Sequence, residues 1–245
     1  MIKCSNLFKS YGNFPVLKDI NMSVSKGEIV VITGPSGSGK TTLLKCLSLL
    51  ENPDKGIVDI NGEIIGHFPM DIKRIYKEQF PNIGVVFQGH YLWPHLTNSE
   101  NITLAFNHKL DEEQQLYYDE LIDRFKVNDF IYKYPNQSSL GQRQRIALIR
   151  TLIQNPNYLF LDEITSSLDI EQTSILLNFL EKLKDKGVGI FLITHFLLFA
   201  QKAANQVVFI EDGRIIETGN KSILHNPQTA RLRTFIDSLN NIAIV

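Results

Sequence analysis

Eight consecutive residues, Gly34-Pro35-Ser36-Gly37-Ser38-Gly39-Lys40-Thr41, place a glycine at either end of a tight loop and follow it with a lysine and a hydroxyl. Glycine enters positive φ freely and has no Cβ, so several backbone N–H groups converge on one phosphate chain. Residues 41–50 behind the loop are apolar and helix-like, and the positive end of such a helix adds to the attraction. Ahead of it, residues 28–33 (Glu-Ile-Val-Val-Ile-Thr) are a short β-branched run that reads as a buried parallel strand. Strand, loop and helix together form the frame that a phosphate cradle requires and a flexible Gly-Ser turn does not. Within it, Lys40 supplies a point charge for β- and γ-phosphates and Thr41 a hydroxyl oxygen for Mg²⁺; Thr42 belongs to the same expected binding segment.

The 245-residue chain is 43% hydrophobic, enough for one large packed α/β domain. A net charge of −1 gives no general attraction for nucleic acid, which is not expected as a partner. The longest strongly apolar run, residues 189–198, is well short of the roughly 20 residues that cross a bilayer. The first residues, Met1-Ile2-Lys3-Cys4-Ser5-Asn6, lack the basic-then-apolar pattern of a secretion signal. Cys4 and Cys46 have no metal-ligand spacing and read as buried small hydrophobes. A cytoplasmic, reduced protein is the expectation.

Residues 2–25 alternate apolar and polar around a turn at Tyr11-Gly12-Asn13, which predicts antiparallel strands. Residues 54–63 predict a further sheet piece, and residues 82–88 a core strand ending in Gln88. Helical spacing then appears at 111–125 and 142–152. Apolar strands return at 157–162 and 188–194, separated by a helix at 171–186, the alternation of a parallel sheet with crossover helices. A hairpin joins 207–210 to 214–217 through Asp212-Gly213. The expected fold is α/β: a single domain, residues 1–245, whose phosphate-loop core has a mixed, largely parallel sheet and an antiparallel β subdomain (1–90 and 154–220). An inserted helical subdomain (91–153) and a partly helical tail (221–245) complete it.

Tyr158-Leu159-Phe160-Leu161-Asp162-Glu163 is a buried strand ending in two acids. Alone it suggests a solvated loop; downstream of a phosphate loop, Asp162 is expected to hold Mg²⁺ and Glu163 to polarise an attacking water as general base. His195 closes the next apolar strand, where an imidazole reaches a γ-phosphate and senses its loss. Gln88, another strand-end polar group, is expected to bind the metal or the water. Strand C-termini are where open α/β sheets bind ligands.

The ordered set Tyr11, residues 34–41, Gln88, Ser139-Leu140-Gly141-Gln142, Asp162-Glu163, Ser166-Ser167-Leu168-Asp169 and His195 resembles the successive motifs of an ATP-binding cassette ATPase. The resemblance covers nearly the whole chain. It implies ATP and Mg²⁺ as cofactors, Tyr11 stacked on adenine, and a second cassette, most simply an identical one, whose Ser139, Gly141 and Gln142 seal the first copy's ATP with Asp169 at the shared interface. A helix N-terminus near Ser139 also makes sense as a second anion site. The pattern departs from the family at three places. Leu140 stands where a glycine is usual, Ile164 where a proline follows the glutamate, and Phe196 where an acid follows the histidine. Were φ positive at 140, leucine would be strained there, so slowed hydrolysis is expected.

The resemblance further implies a motor bound to the inner face of the membrane through separate permease subunits, with a solute-binding protein acting through them. The segments Glu217-Thr218-Gly219, Asn226-Pro227-Gln228 and residues 231–236 are similar to cassettes that power polar amino acid uptake in bacteria. The rival is a non-transport cassette that regulates or assembles a cytosolic or cell-division complex.

Overall fold

The computed structural model describes residues 1–68 and 82–242, with side chains at 1–63 and 82–239. The chain runs β1 (Ile2–Tyr11), β2 (Phe14–Val24), β3 (Ile29–Thr33), α1 (Lys40–Leu47), β4 (Lys55–Ile60), β5 (Glu63–Phe68) and β6 (Ile83–Val86). Helices α2 (Asn98–Thr103), α3 (Glu112–Arg124) and α4 (Leu140–Leu152) follow, then β7 (Tyr158–Asp162), α5 (Ile170–Asp185) and β8 (Gly189–Ile193). The chain closes with α6 (Leu197–Ala203), β9 (Gln206–Glu211), β10 (Arg214–Asn220) and α7 (Ala230–Ile242).

Two sheets result. One is antiparallel, in the order β2-β1-β4-β5; the other has the order β10-β9-β3-β8-β7-β6 and is parallel except for the β9–β10 hairpin. Every residue of β3, β7 and β8 is buried, as their unbroken apolar runs demand of central parallel strands. Alternation along each strand divides the interior. Ile29, Val31, Leu159, Leu161, Ile190 and Leu192 face one core, which the helices α3 to α7 cover. Val30, Ile32, Phe160, Phe191 and Ile193 face the other, shared with α1 and the antiparallel sheet. Cys4 and Cys46 lie in this second core, where burial pushes both thiols up to about 12.

The helices start where local chemistry lets them. Thr97, Asp111 and Ser139 each accept a bond from the backbone N–H three residues on, while Glu100, Gln114 and Gln142 reach back to the cap. Helix α4 thus begins at Leu140, two residues before the expected Gln142. Arg150, near its other end, donates to the carbonyls of Tyr91 (2.7 Å) and His90 (3.0 Å), tying α4 to the loop after β6. Among the described residues no helix is long and apolar enough to cross a membrane.

Register completes the frame for the site. Ile32 of β3 and Asp162 of β7 both pair with Ile193 of β8, so the carboxyl ends of three central strands finish in one row. The segments that carry Lys40, Glu163 and His195 leave from that row.

Candidate nucleotide site

Backbone geometry shapes the loop at residues 34–39. Gly39 has φ of +99°, and a Cβ there would lie 2.9 Å from both the Val16 carbonyl and Leu17 Cδ2, so glycine is required on two counts. Gly39 is also the residue before α1, whose N-terminus no side chain caps. Its first N–H groups are therefore aimed into the loop as an anion-binding end. The Ser38 hydroxyl is buried without a hydrogen-bond partner, which fits a site that expects a guest.

Lys40 is buried, and its ammonium donates to the carbonyls of Gly34 (2.8 Å) and Pro35 (2.7 Å). Burial pulls its pKa below the ordinary lysine value, against the opposing charges of Glu163 and Asp162. The Thr41 hydroxyl donates to Asp162 Oδ2 at 2.9 Å. Burial raises the Asp162 pKa, and Glu163 adds to the rise, while the Thr41 bond and Lys40 oppose it. A hydroxyl and a carboxylate side by side at a phosphate loop suit Mg²⁺, a hard ion that takes oxygen ligands and keeps waters and phosphate oxygens around it.

Glu163 holds φ at +51°, a conformation that costs a non-glycine residue about 1 kcal/mol or more. Its N–H donates to the Ile193 carbonyl (3.0 Å), and the Ser166 hydroxyl donates to the Glu163 carbonyl (2.9 Å), so the surroundings hold it there. His195 Nε2 lies 2.8 Å from Glu163 Oε1, so imidazole and carboxylate face each other across the strand ends. A cavity of about 320 Å³ opens over the phosphate loop, lined by Val16, Ser36, Gly37, Lys40, Thr41 and Glu163, among others. Gly39 and Thr42 also line it, while His195 lines the neighbouring groove.

The remaining expected residues lie elsewhere. Strand β6 ends at Val86, not at Gln88; Gln88 is exposed in the turn beyond it and does not line this cavity. Tyr11 ends β1 at the hairpin tip, directly opposite Phe14 and 45% exposed. Ser139 and Asp169 are helix caps: Ser139 Oγ accepts from the Gln142 N–H (3.2 Å), and Asp169 Oδ1 from the Gln172 N–H (2.7 Å). Gly141 abuts the Ser167 carbonyl so closely that a Cβ would come within 2.6 Å of it. The expected strain at Leu140 does not occur: the residue opens α4 outside the positive-φ region, with its side chain 54% exposed. Ile164 is fully buried in the helical core, and Phe196 is 44% exposed, beside His195. Val16 was not legible as a cavity residue, because only the folding of β2 against Gly39 brings it there.

Phosphate loop, strand-end acids and strand-end histidine on a doubly layered α/β core define a class of nucleotide-hydrolysing cassette. Residues 17–166 match the family described as ABC transporter, and the chain belongs to that family. It is an ATP-hydrolysing cassette. It is 38% identical to the glutamine transport ATP-binding protein GlnQ of Bacillus subtilis, over 98% of this chain and all of the relative. It is also 38% identical to the glutamate/glutamine/aspartate/asparagine transport ATP-binding protein BztD of Rhodobacter capsulatus, over 97% of this chain and 90% of that one. Among solved structures, a dimeric ATP-binding cassette in a post-hydrolysis state, bound to ADP and Pi, superposes with a TM-score of 0.82. That match is 30% identical and covers 90% of this chain and 99% of the other.

Proposed function

We propose that this chain hydrolyses ATP to energise a membrane importer of polar amino acids, working as one of two paired cassettes. The observation that carries the site assignment is the convergence of Lys40, the Thr41–Asp162 pair and the Glu163–His195 pair at the carboxyl ends of β3, β7 and β8. The identity to amino acid transport ATP-binding proteins along nearly the whole chain supports the choice of cargo class.

In this reading the N–H groups of residues 36–42 and the Lys40 ammonium take the phosphates, Lys40 leaving the Gly34 and Pro35 carbonyls to do so. Thr41 and Asp162 hold Mg²⁺, which, when bound, draws negative charge from the transferring phosphoryl group. Glu163 accepts a proton from the attacking water, and His195, 2.8 Å from it, fixes its orientation and contacts the γ-phosphate. Tyr11 stacks on the base. Gln88 reaches the metal or the water only if its turn moves, which makes that turn a sensor of occupancy.

The second cassette presents Ser139, Gly141 and Gln142 to the γ-phosphate, with Asp169 at the joint. Beside His195 a larger groove exposes Ile170, Phe196 and Leu198, an apolar rim suited to burial between cassettes. Residues 91–153 form the helical subdomain that meets the permease, the rest of residues 1–220 forms the core, and residues 221–245 form the tail. The protein then sits on the cytoplasmic face of the membrane, and a solute-binding protein delivers cargo to the permease. Slowed hydrolysis, if measured, traces to the exposed Leu140 side chain at the joint.

The test is co-purification of this chain with the membrane subunits it binds, reconstitution of that complex in vesicles, and assay of ATP-driven uptake of labelled glutamine, glutamate and arginine. The Glu163→Gln variant is expected to keep ATP binding and lower turnover about 10²- to 10⁴-fold. Uptake without ATP dependence, or an unaltered Glu163→Gln rate, overturns the reading.

A further inference from the structure

A lysine two residues before Tyr11 occupies a position that neither the phosphate site nor the core accounts for. Lys9 lies on β1 and is only 8% exposed. Its ammonium donates to the Asn52 carbonyl at 2.7 Å and lies 2.9 Å from Glu51 Oε1 and 3.8 Å from Asp54 Oδ1. The same Nζ stands over the Tyr11 ring, 5.2 Å from its centroid. Strand alternation places residues 9 and 11 on one face, so the contact is built into β1. Burial works against the charge on Lys9, but the Glu51 hydrogen bond and the charges of Glu51 and Asp54 outweigh it and raise its pKa. The cation is therefore permanent.

The ring it touches is well placed for a base. Tyr11 pairs with Phe14 at the hairpin tip, and two residues further along β2 Val16 lines the phosphate cavity and packs on Gly39. Tyr11 remains 45% exposed although its ring meets the ammonium. Two of the three Lys9 N–H donors go to Glu51 and Asn52, and Asp54 Oδ1 lies 3.8 Å away, so the ammonium is already paired with protein carboxylates.

The geometry points to Lys9 as a positioning residue for nucleotide binding: its anchored ammonium holds the Tyr11 ring by one face so that the opposite face is presented to the adenine. This rests on the ATP-binding reading above. Two physical effects follow. A ring already fixed loses less rotamer freedom when a base stacks on it. A cation behind the ring also weakens the negative face that would otherwise repel the π-face of the base.

The experiment compares binding of the non-hydrolysable analogue AMP-PNP and of inorganic tripolyphosphate by titration calorimetry, with magnesium present. Lys9→Met is expected to weaken AMP-PNP about three- to tenfold, the range of a partly desolvated cation–π contact, and to leave tripolyphosphate within twofold. Lys9→Arg is expected to restore AMP-PNP binding. The Lys9→Met/Tyr11→Ala double variant should bind AMP-PNP no more weakly than Tyr11→Ala alone. Lys9→Gln, which keeps a donor for Asn52, replaces Lys9→Met should the latter not fold. Equal losses for both ligands, or losses that add in the double variant, overturn the assignment. A Tyr11→Ala variant that alone loses AMP-PNP while Lys9→Met does not would sink the lysine's role and leave the nucleotide site standing. Should wild-type protein bind neither ligand, the ATP-binding reading itself falls.

Discussion

Adding one methyl group at Gly141 asks whether the contact between α4 and the loop before α5 holds the joint together. An alanine Cβ at this position would sit 2.6 Å from the Ser167 carbonyl oxygen, and that atom is backbone, so no side-chain rotation relieves it. Normal contact needs several tenths of an ångström more, so the start of α4 and residues 166–169 must part. Overpacking of this kind costs about 1–3 kcal/mol. Against it, replacing glycine by alanine where φ is ordinary returns about 0.4–1 kcal/mol by restricting the unfolded chain. The net expectation is a loss of about 1.3 kcal/mol within a span of about 0–2.6 kcal/mol, or roughly 3–5 °C in melting temperature for a domain of this size. Leu140→Ala, one residue earlier on an exposed side chain, should stay within about 0.5 kcal/mol of wild type. Both variants would be melted in a calorimeter and assayed for ATPase in the reconstituted transporter. Gly141→Ala should also lose turnover beyond what its stability explains, because Ser139 and Asp169 move apart with the helix ends they cap. A Gly141→Ala protein that melts at or above wild type refutes the steric argument.

The Glu217 carboxylate accepts from the N–H groups of Gln228 and Thr229, both at 2.9 Å, and from the Thr229 hydroxyl. Burial pushes its pKa upward, but those bonds outweigh it and lower the pKa; the stability it contributes is complete above the ordinary glutamate pKa and disappears as pH falls through the lowered one. Glu217→Gln should therefore flatten the acid limb of a melting-temperature profile and cost about 1–3 kcal/mol near neutrality. Asn98 is fully buried, and its amide donates to the Phe130 carbonyl (2.8 Å) and Ser138 Oγ (2.9 Å). Asn98→Leu should cost about 2–4 kcal/mol in chemical denaturation by stranding both acceptors. Burial raises the Asp162 pKa, so its ionised form costs stability increasingly as pH rises through the folded value. Asp162→Asn should accordingly melt about 1–8 °C higher than wild type at neutral pH while magnesium-dependent ATP binding falls.

What the sequence discloses divides along the range of the forces involved. The phosphate loop, the fully buried strands Ile29–Thr33 and Gly189–Ile193 and the Asp212-Gly213 turn are local solutions, and their residues announce them. Both turn residues sit at positive φ, as a tight hairpin of this twist requires. The start of α4 was written locally too: Ser139 and Gln142 form a capping box, and reading the helix from Gln142 overlooked it. A glycine in a related sequence suggested positive φ at 140, whereas the first turn of a helix accommodates leucine without strain. Gln88 fails as a strand end because β6 stops pairing with β7 at Val86. Val16 against Gly39, and Lys9 over Tyr11, depend on packing between segments distant in sequence or on side-chain reach, and no spacing rule reports them.

The polar side chains of the site already hold protein partners: Lys40 bonds two loop carbonyls, Thr41 bonds Asp162, and Glu163 lies 2.8 Å from His195. A nucleotide must exchange these bonds for its own, and exchange of one hydrogen bond for another changes little, about 0.5–1.5 kcal/mol each. Affinity then comes from what the internal partners lack. Gly34 and Pro35 offer Lys40 neutral carbonyls, while a triphosphate offers full negative charge to an ammonium that burial has left short of solvation. The depressed lysine pKa and the raised aspartate pKa are therefore two signs of one condition: a buried site whose charges are under-compensated until phosphate and a divalent ion supply the missing counter-charge.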